Sequence, residues 1–147
     1  MRLILVLSIL LNFAHAAYDN INTYSDHIAA LKFKIIDNKK IAYIDEGEGE
    51  PIVLMHGIPT NSWMFRKMIP LLVAKGYRVI APDLLGMGQS EKNQDEISLL
   101  VPAQSKLMMK LIVDELKIES WTHLVHDFAG PITWEMMEDK RFNANQF

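Results

Sequence analysis

Between Pro51 and Asp139 the chain alternates short strand-like runs with stretches of helical periodicity, and that alternation admits few architectures. Pro51 to Met55 is continuously apolar, the pattern of a strand buried on both faces of a parallel sheet. Arg78 to Ala81, ended by Pro82-Asp83, and Trp121 to Val125 read as further strands. Trp63 to Lys75 is expected to be helical, capped by Ser62 and stopped by Gly76. Pro70 lacks an N–H, so that stretch should form two pieces with Pro70 opening the second. From Pro102 to Lys117, polar Lys106, Lys110, Asp114 and Lys117 recur at helical spacing. Leu107, Met108, Leu111, Ile112 and Leu116 form the apolar face of a helix that covers a sheet. A last helix is expected over Ala129 to Asp139.

Strands connected through helices pair in parallel by right-handed crossovers. Ahead of them, Leu31 to Ile36 and Lys40 to Ile44 are β-prone runs separated by Asp37-Asn38-Lys39, which reads as an antiparallel hairpin. The fold class is therefore α/β: a hairpin, then parallel strands with crossover helices. No internal repeat, low-complexity tract or linker divides it.

Composition bounds the partners. The 147 residues are 50% hydrophobic and 22% charged, with a net charge of -3, as in a folded globular domain. The pI is about 5.9, and no basic cluster exists beyond Lys39-Lys40 and Lys140-Arg141, so the footprint that phosphate backbones require is missing. Nucleic acid is not an expected partner, and neither a metal nor a cofactor is expected. With no cysteine, disulfides and thiolate metal sites are excluded.

Met1 to Ala17 carries one Arg, an apolar run from Leu3 to Leu11, and Ala14-His15-Ala16, the small-x-small pattern of a signal peptidase site. It reads as a signal peptide over residues 1–17, leaving residues 18–147 as one domain, exported to a periplasm or the exterior. An uncleaved anchor is the competing reading. The apolar run is shorter than the ~20 residues that span a bilayer, so no stable membrane span is expected.

In parallel α/β sheets, sites form at the carboxyl ends of the strands. Here those ends carry His56 to Asn61, Asp83 to Ser90 and His126 to Gly130. The last loop is the most specific. Val125-His126-Asp127-Phe128-Ala129-Gly130 puts one acid between strand and helix with small residues just after it, the form of a nucleophile elbow. Such a nucleophile sits in a strained turn, and Ala129 and Gly130 are small enough to let strand and helix approach. Pro131 falls in the first helical turn, where a missing donor costs little. The N–H of Phe128, at the positive end of the helix dipole, can face an oxyanion. On this loop alone, an Asp that merely caps the helix explains the pattern equally well.

His56-Gly57-Ile58-Pro59-Thr60, then Pro82-Asp83-Leu84-Leu85-Gly86-Met87-Gly88-Gln89-Ser90, then the aspartyl elbow, together resemble the α/β-hydrolase superfamily over about Leu31 to Asp139. The HGxPT form, Arg66-Lys67-Met68-Ile69-Pro70 and the Asp at the elbow are most similar to haloalkane dehalogenases and their epoxide hydrolase relatives. The resemblance implies Asp127 as nucleophile and the backbone N–H groups of Ile58 and Phe128 as oxyanion hole. His56, Gly57 and Pro59 shape the first loop, with the Ile58-Pro59 bond a candidate for cis. Asp83, Gly86, Gly88 and Ser90 hold the second, a structural role. His123 and His126 match no catalytic base of the family and read as structural.

The implied activity is hydrolysis of small apolar electrophiles, alkyl halides or, alternatively, epoxides. A carboxylate of pKa ~3.9 is already ionised at neutral pH and can displace a leaving group from sp3 carbon, whereas serine must first lose a proton. Two positions depart from the dehalogenase pattern: Phe128 stands where a halide-binding Trp follows the nucleophile, and Ile58 where an Asn follows His-Gly. Neither side chain donates a hydrogen bond, so halide stabilisation from this half of the molecule is weak. The family continues past the place corresponding to Phe147 with more strands, a helical cap, a catalytic acid and a catalytic His. The chain accordingly reads as an N-terminal part of the fold, with the Trp121 to Val125 strand left as an unpaired edge, and a non-catalytic remnant is a further alternative.

Overall fold

The computed structural model describes residues 23–92 and 95–145. The signal-peptide reading of residues 1–17 lies outside the described residues. A helix α1 (Tyr24–Ala30) leads into strands β1 (Lys32–Ile36), β2 (Lys39–Glu46) and β3 (Glu50–Met55). A 3-10 turn (Ser62–Phe65), α2 (Met68–Ala74), β4 (Tyr77–Pro82), a second 3-10 turn (Glu96–Leu99) and α3 (Val101–Met109) follow. Strand β5 (Trp121–Val125), α4 (Ala129–Met136) and β6 (Ala144–Asn145) complete the order. No helix among the described residues is long and apolar enough to cross a membrane.

The strands form one mixed sheet in the order β1-β2-β4-β3-β5-β6. β1 and β2 pair antiparallel, β2 meets β4 antiparallel, and β4, β3, β5 and β6 run parallel. The hairpin closes through Asp37 and Asn38, at φ +49 and +62. Both are residue types that tolerate the left-handed region a tight two-residue turn requires. Along β3 the side chains alternate between two cores although every residue from Ile52 to Met55 is apolar. Val53 and Met55 join Ile80, Leu107, Met108, Leu111, Trp121 and Ile132 on the α3/α4 face. Ile52 and Leu54 join Ala42, Phe65, Ile69, Val73 and Val79 on the α1/α2 face. Burial on both sides explains why the run carries no polar alternation.

Several local features differ from the sequence reading. The cap of the Ser62–Phe65 turn is Asn61, whose side chain accepts from the Trp63 N–H. Ser62 is one place further in and buried, its Oγ 3.0 Å from His27 Nε2. Pro70 is the third residue of α2, still within the first turn, where its missing donor has no intrahelical acceptor to lose. The helix expected from Pro102 to Lys117 widens after α3 into a π-type turn over Lys110–Glu115, with Leu116 N–H donating to Leu111 C=O. α4 ends at Met136, short of Asp139. β5 is not an unpaired edge over its whole length, because Ala144 and Asn145 pair with Trp121 and Thr122.

α1 was not expected from periodicity. Thr23 accepts from the Asp26 N–H while the Asp26 carboxylate accepts from the Thr23 N–H, a reciprocal cap that starts the helix.

Candidate active site

The site is assembled from three strand ends. After β3, His56 is buried and commits both ring nitrogens. Its Nε2 accepts from the Leu84 N–H at 2.9 Å, so Nδ1 carries the proton and donates to Gly57 C=O at 2.9 Å. Burial holds its pKa below the ordinary imidazole value. The imidazole thus pins the first loop to the second. Thr60 closes the first loop by donating its N–H and its hydroxyl to Gly57 C=O, at 3.1 and 2.8 Å. The Ile58-Pro59 peptide is cis.

After β4, Asp83 is buried and organises the second loop from inside. Its carboxylate accepts from the Ser62 N–H at 2.8 Å and the Gln89 N–H at 2.7 Å. Its carbonyl accepts from the Ser90 hydroxyl, which in turn accepts from the Ala42 N–H of β2. Gly88, at φ +52, lies against this carboxylate: a Cβ there would come within 2.0 Å of Asp83 Oδ2. Gly86, at φ +86, would place a Cβ 2.9 Å from the Leu99 side chain. Lys92 Nζ donates to Gly88 C=O. The Asp83 carboxylate is thus spent on backbone N–H groups, one of its own loop and one of the Ser62–Phe65 turn.

After β5, the backbone turns at Asp127 with φ +56, in the left-handed region that costs a residue with a Cβ on the order of 1 kcal/mol or more. The turn is stitched by Gly130 N–H to Asp127 C=O at 2.9 Å, and by Ala129 N–H to His126 C=O at 3.2 Å. The His126 N–H donates to Met55 C=O at 3.0 Å, continuing the β3–β5 pairing past the strand end. Ala129 is buried, whereas a Cβ at Gly130 would meet nothing within 4 Å. Close approach of strand and helix therefore requires the small residue at 129 and not at 130.

The loops converge on one carboxylate. The Ile58 N–H donates to Asp127 Oδ1 at 2.9 Å, and the Phe128 N–H follows directly in the chain, at the start of α4. Those two donors, Phe128 first, hold the Asp127 pKa below its ordinary value. Gly57 is packed onto the same group: an added Cβ would lie 2.4 Å from both Asp127 Cβ and Oδ1. Asp127 itself is exposed, as is Ile58 beside it. An exposed carboxylate with Oδ1 held by the Ile58 N–H has the form of a group that can attack an electrophile through its second oxygen. A cavity of about 510 Å³ adjoins Ile58, between Thr60, Asn61, Met87 and Gln89. A larger groove of about 780 Å³ runs beside α2, along Met68, Leu72, Leu124 and Val125; Asp127 lines neither.

A second set of hydrogen bonds links β5 to α4. His123 was read as structural with no partner named. Its Nδ1 accepts from the Trp121 indole N–H at 2.8 Å, and its Nε2 lies 3.1 Å from Thr133 Oγ1. The Thr133 hydroxyl then donates to Ala129 C=O at 2.8 Å. The sequence signal was a His where the facing β3 residue, Val53, is apolar, with a Thr four places after Ala129. Among the described residues no cluster of His, Cys, Asp and Glu could hold a metal ion.

Known proteins share this fold. The family model of the alpha/beta hydrolase fold matches residues 50–144. The haloalkane dehalogenase of Mycobacterium marinum is 43% identical over 95 residues, 63% of this chain and 32% of that protein. That of Psychrobacter cryohalolentis is 37% identical over 95 residues, 63% of this chain and 31% of its own. The chain thus spans about a third of the length of these relatives. Among solved structures, a mutant of the Vigna radiata epoxide hydrolase superimposes with a TM-score of 0.72 over 78% of this chain and 36% of that one. At 24% identity it speaks for the fold alone. A loop variant of a Bradyrhizobium elkanii haloalkane dehalogenase gives 0.64 at 29% identity, over 71% of this chain and 34% of its own. With its sheet order, its strand-turn-helix elbow and a family match over most of its length, the chain belongs to the alpha/beta hydrolase fold family and resembles haloalkane dehalogenases and epoxide hydrolases.

Proposed function

We propose that this chain carries the nucleophile half of an aspartate-dependent hydrolase acting on small apolar electrophiles, alkyl halides first. The observation that carries the reading is the Asp127 carboxylate, set at φ +56 and held by the Ile58 N–H at 2.9 Å, with the Phe128 N–H next to it in the chain. In the first step the free Asp127 oxygen attacks an sp3 carbon from the side opposite the carbon–halogen bond. The C–O bond forms as the C–X bond breaks, halide departs with the electron pair, and an alkyl ester of Asp127 remains. The ester carbonyl oxygen then lies where Ile58 and Phe128 donate, so the same pair stabilises the oxyanion when water adds to the carboxyl carbon.

That second step requires a base to activate water. His56 and His123 each have both ring nitrogens engaged elsewhere, and His126, exposed at the elbow just before Asp127, matches no catalytic base of the family. The activity assigned to these residues is therefore ester formation, and turnover requires a base beyond them. Epoxide opening is the second reading, favoured by the Phe128 and Ile58 side chains, which offer a departing halide no donor. The Met1 to Ala17 pattern supports export of the protein.

The test is incubation of the full chain with 1,2-dibromoethane and, separately, with an epoxide, followed by intact mass. A single adduct, absent in Asp127→Asn, is expected. Folded protein without an Asp127-dependent adduct from either reagent rejects the reading in favour of a non-catalytic remnant.

A further inference from the structure

β5 and α4 are joined across the elbow by a one-directional chain of hydrogen bonds. The Trp121 indole N–H can only donate, so His123 Nδ1 must accept, at 2.8 Å, and the imidazole proton resides on Nε2. The Nε2–H donates to Thr133 Oγ1 at 3.1 Å, and the Thr133 hydroxyl donates to Ala129 C=O at 2.8 Å. Trp121 is 1% and Thr133 8% exposed, so most of this polar chain lies in the core. Phe142 packs edge-on against Trp121, with ring centroids 5.3 Å apart, and against His123 at 5.7 Å, which closes the cluster from the far side. The chain begins on the strand that delivers Asp127 and ends on the first residue of the helix that leaves it. It therefore brackets the turn in which Asp127 holds a left-handed backbone.

We propose that His123 and Thr133 are positioning residues for Asp127: the strut Trp121–His123–Thr133–Ala129 fixes helix α4 against strand β5, and so aims the Phe128 N–H at the Asp127 carboxylate. The proposal rests on Asp127 being the reactive group, yet acts through backbone geometry that is measurable without any reaction. A polar relay in an apolar layer costs desolvation, and replacing it with well-packed apolar groups is often neutral for stability. Stability alone thus gives the strut no reason to be there. Its geometric consequence is that α4 cannot slide along β5 without breaking a buried hydrogen bond. Phe128, whose N–H helps hold the Asp127 pKa down, immediately precedes Ala129, the α4 residue the strut grips.

The experiment is a 13C-carboxyl titration of Asp127 in the full chain, followed by NMR, with alkylation by 1,2-dibromoethane measured in parallel. Thr133→Val keeps the side-chain shape and removes the hydroxyl; the Asp127 proton affinity should rise about tenfold as the Phe128 donor drifts. Thr133→Ser restores the hydroxyl and should restore the wild-type titration. His123→Gln keeps an acceptor for Trp121 and a donor for Thr133 and should match wild type, while His123→Leu should behave like Thr133→Val. This second pair decides the matter if Thr133→Val does not fold. An unchanged Asp127 titration in folded Thr133→Val or His123→Leu overturns the proposal. If wild type forms no adduct but the titrations move as stated, the nucleophile reading fails and the strut stands; if wild type forms the adduct and the titrations stay fixed, the reverse holds.

Discussion

Gly57→Ala separates the geometry of the site from its sequence pattern. Gly57 does not occupy the positive-φ region, so alanine meets no backbone strain there, and the effect of the substitution is the contact alone. The new methyl would lie 2.4 Å from Asp127 Cβ and from Oδ1, and 2.8 Å from Cγ. Reaching ordinary contact, near 3.4 Å, requires about 1 Å of relative movement between the two loops. The obvious escape is for the carboxylate to swing away, which lengthens the 2.9 Å bond from Ile58. A misplacement of ~1 Å at a reacting group costs about 100-fold in rate, close to 2.7 kcal/mol of barrier. Overpacking costs about 1–3 kcal/mol of stability. The assay is the pseudo-first-order rate of alkyl-ester formation with 1,2-dibromoethane by intact mass, alongside urea unfolding to show that the variant is folded at the assay temperature. A folded Gly57→Ala that alkylates within threefold of wild type refutes the reasoning, because the carboxylate would then not need the place the structure gives it.

Four further outcomes follow from the same structure. Gly130→Ala, whose Cβ meets open space in the first turn of α4, should leave the alkylation rate unchanged and raise stability by about 0.5–1 kcal/mol through helix propensity; loss of folding would show that the small residue is required there after all. Gly88→Ala puts a methyl 2.0 Å from the buried Asp83 carboxylate at a positive φ, and should lower urea stability by about 2–4 kcal/mol; a wild-type midpoint would contradict the role given to Asp83. His27, His56 and His123 all have folded pKa values below the ordinary 6.5, His123 near 4, chiefly through burial. The unfolded chain then binds more protons than the folded one as pH falls below about 6.5, so this stability is complete above that value and drains away toward pH 4. His123 alone should account for about 2 kcal/mol lost by pH 5, and urea midpoints that stay constant from pH 7.5 to 5 would contradict it. His123→Gln should remove much of that slope.

Much of the architecture is legible in the residues because both-face burial leaves a plain signature. Pro51 to Met55 could not be an exposed strand, and Asp37 and Asn38 are residue types suited to the left-handed turn they form. What escaped notice was set by tertiary contact or by very short elements. α1 is seven residues long and shows itself only through the Thr23 to Asp26 capping pattern. β6 pairs two residues, too few for any periodicity. The helix over Pro102 to Lys117 carried no sign that its second half would widen, since Lys110 to Glu115 keeps the same apolar spacing in either form. At the site, the elbow was visible as an acid followed by small residues. The reason Gly57 must be glycine was not, because its neighbour is 70 positions away in sequence and lies 2.4 Å away in space. The His123 strut was hidden for the same reason: a lone His on a strand is ordinarily a satisfied core residue, and only the positions of Trp121 and Thr133 give it a direction.

The central claim is that the Asp127 carboxylate, aimed by Ile58 and Phe128, is a nucleophile toward alkyl carbon. Peptide mapping of the 1,2-dibromoethane adduct by tandem mass spectrometry tests it most directly, because the chain also offers other carboxylates, nine methionines and five histidines as competing targets. The account predicts a bromoethyl ester on Asp127 that forms much faster than modification anywhere else and disappears in Asp127→Asn. Modification spread over surface residues, with Asp127 no more reactive than its neighbours, would contradict it.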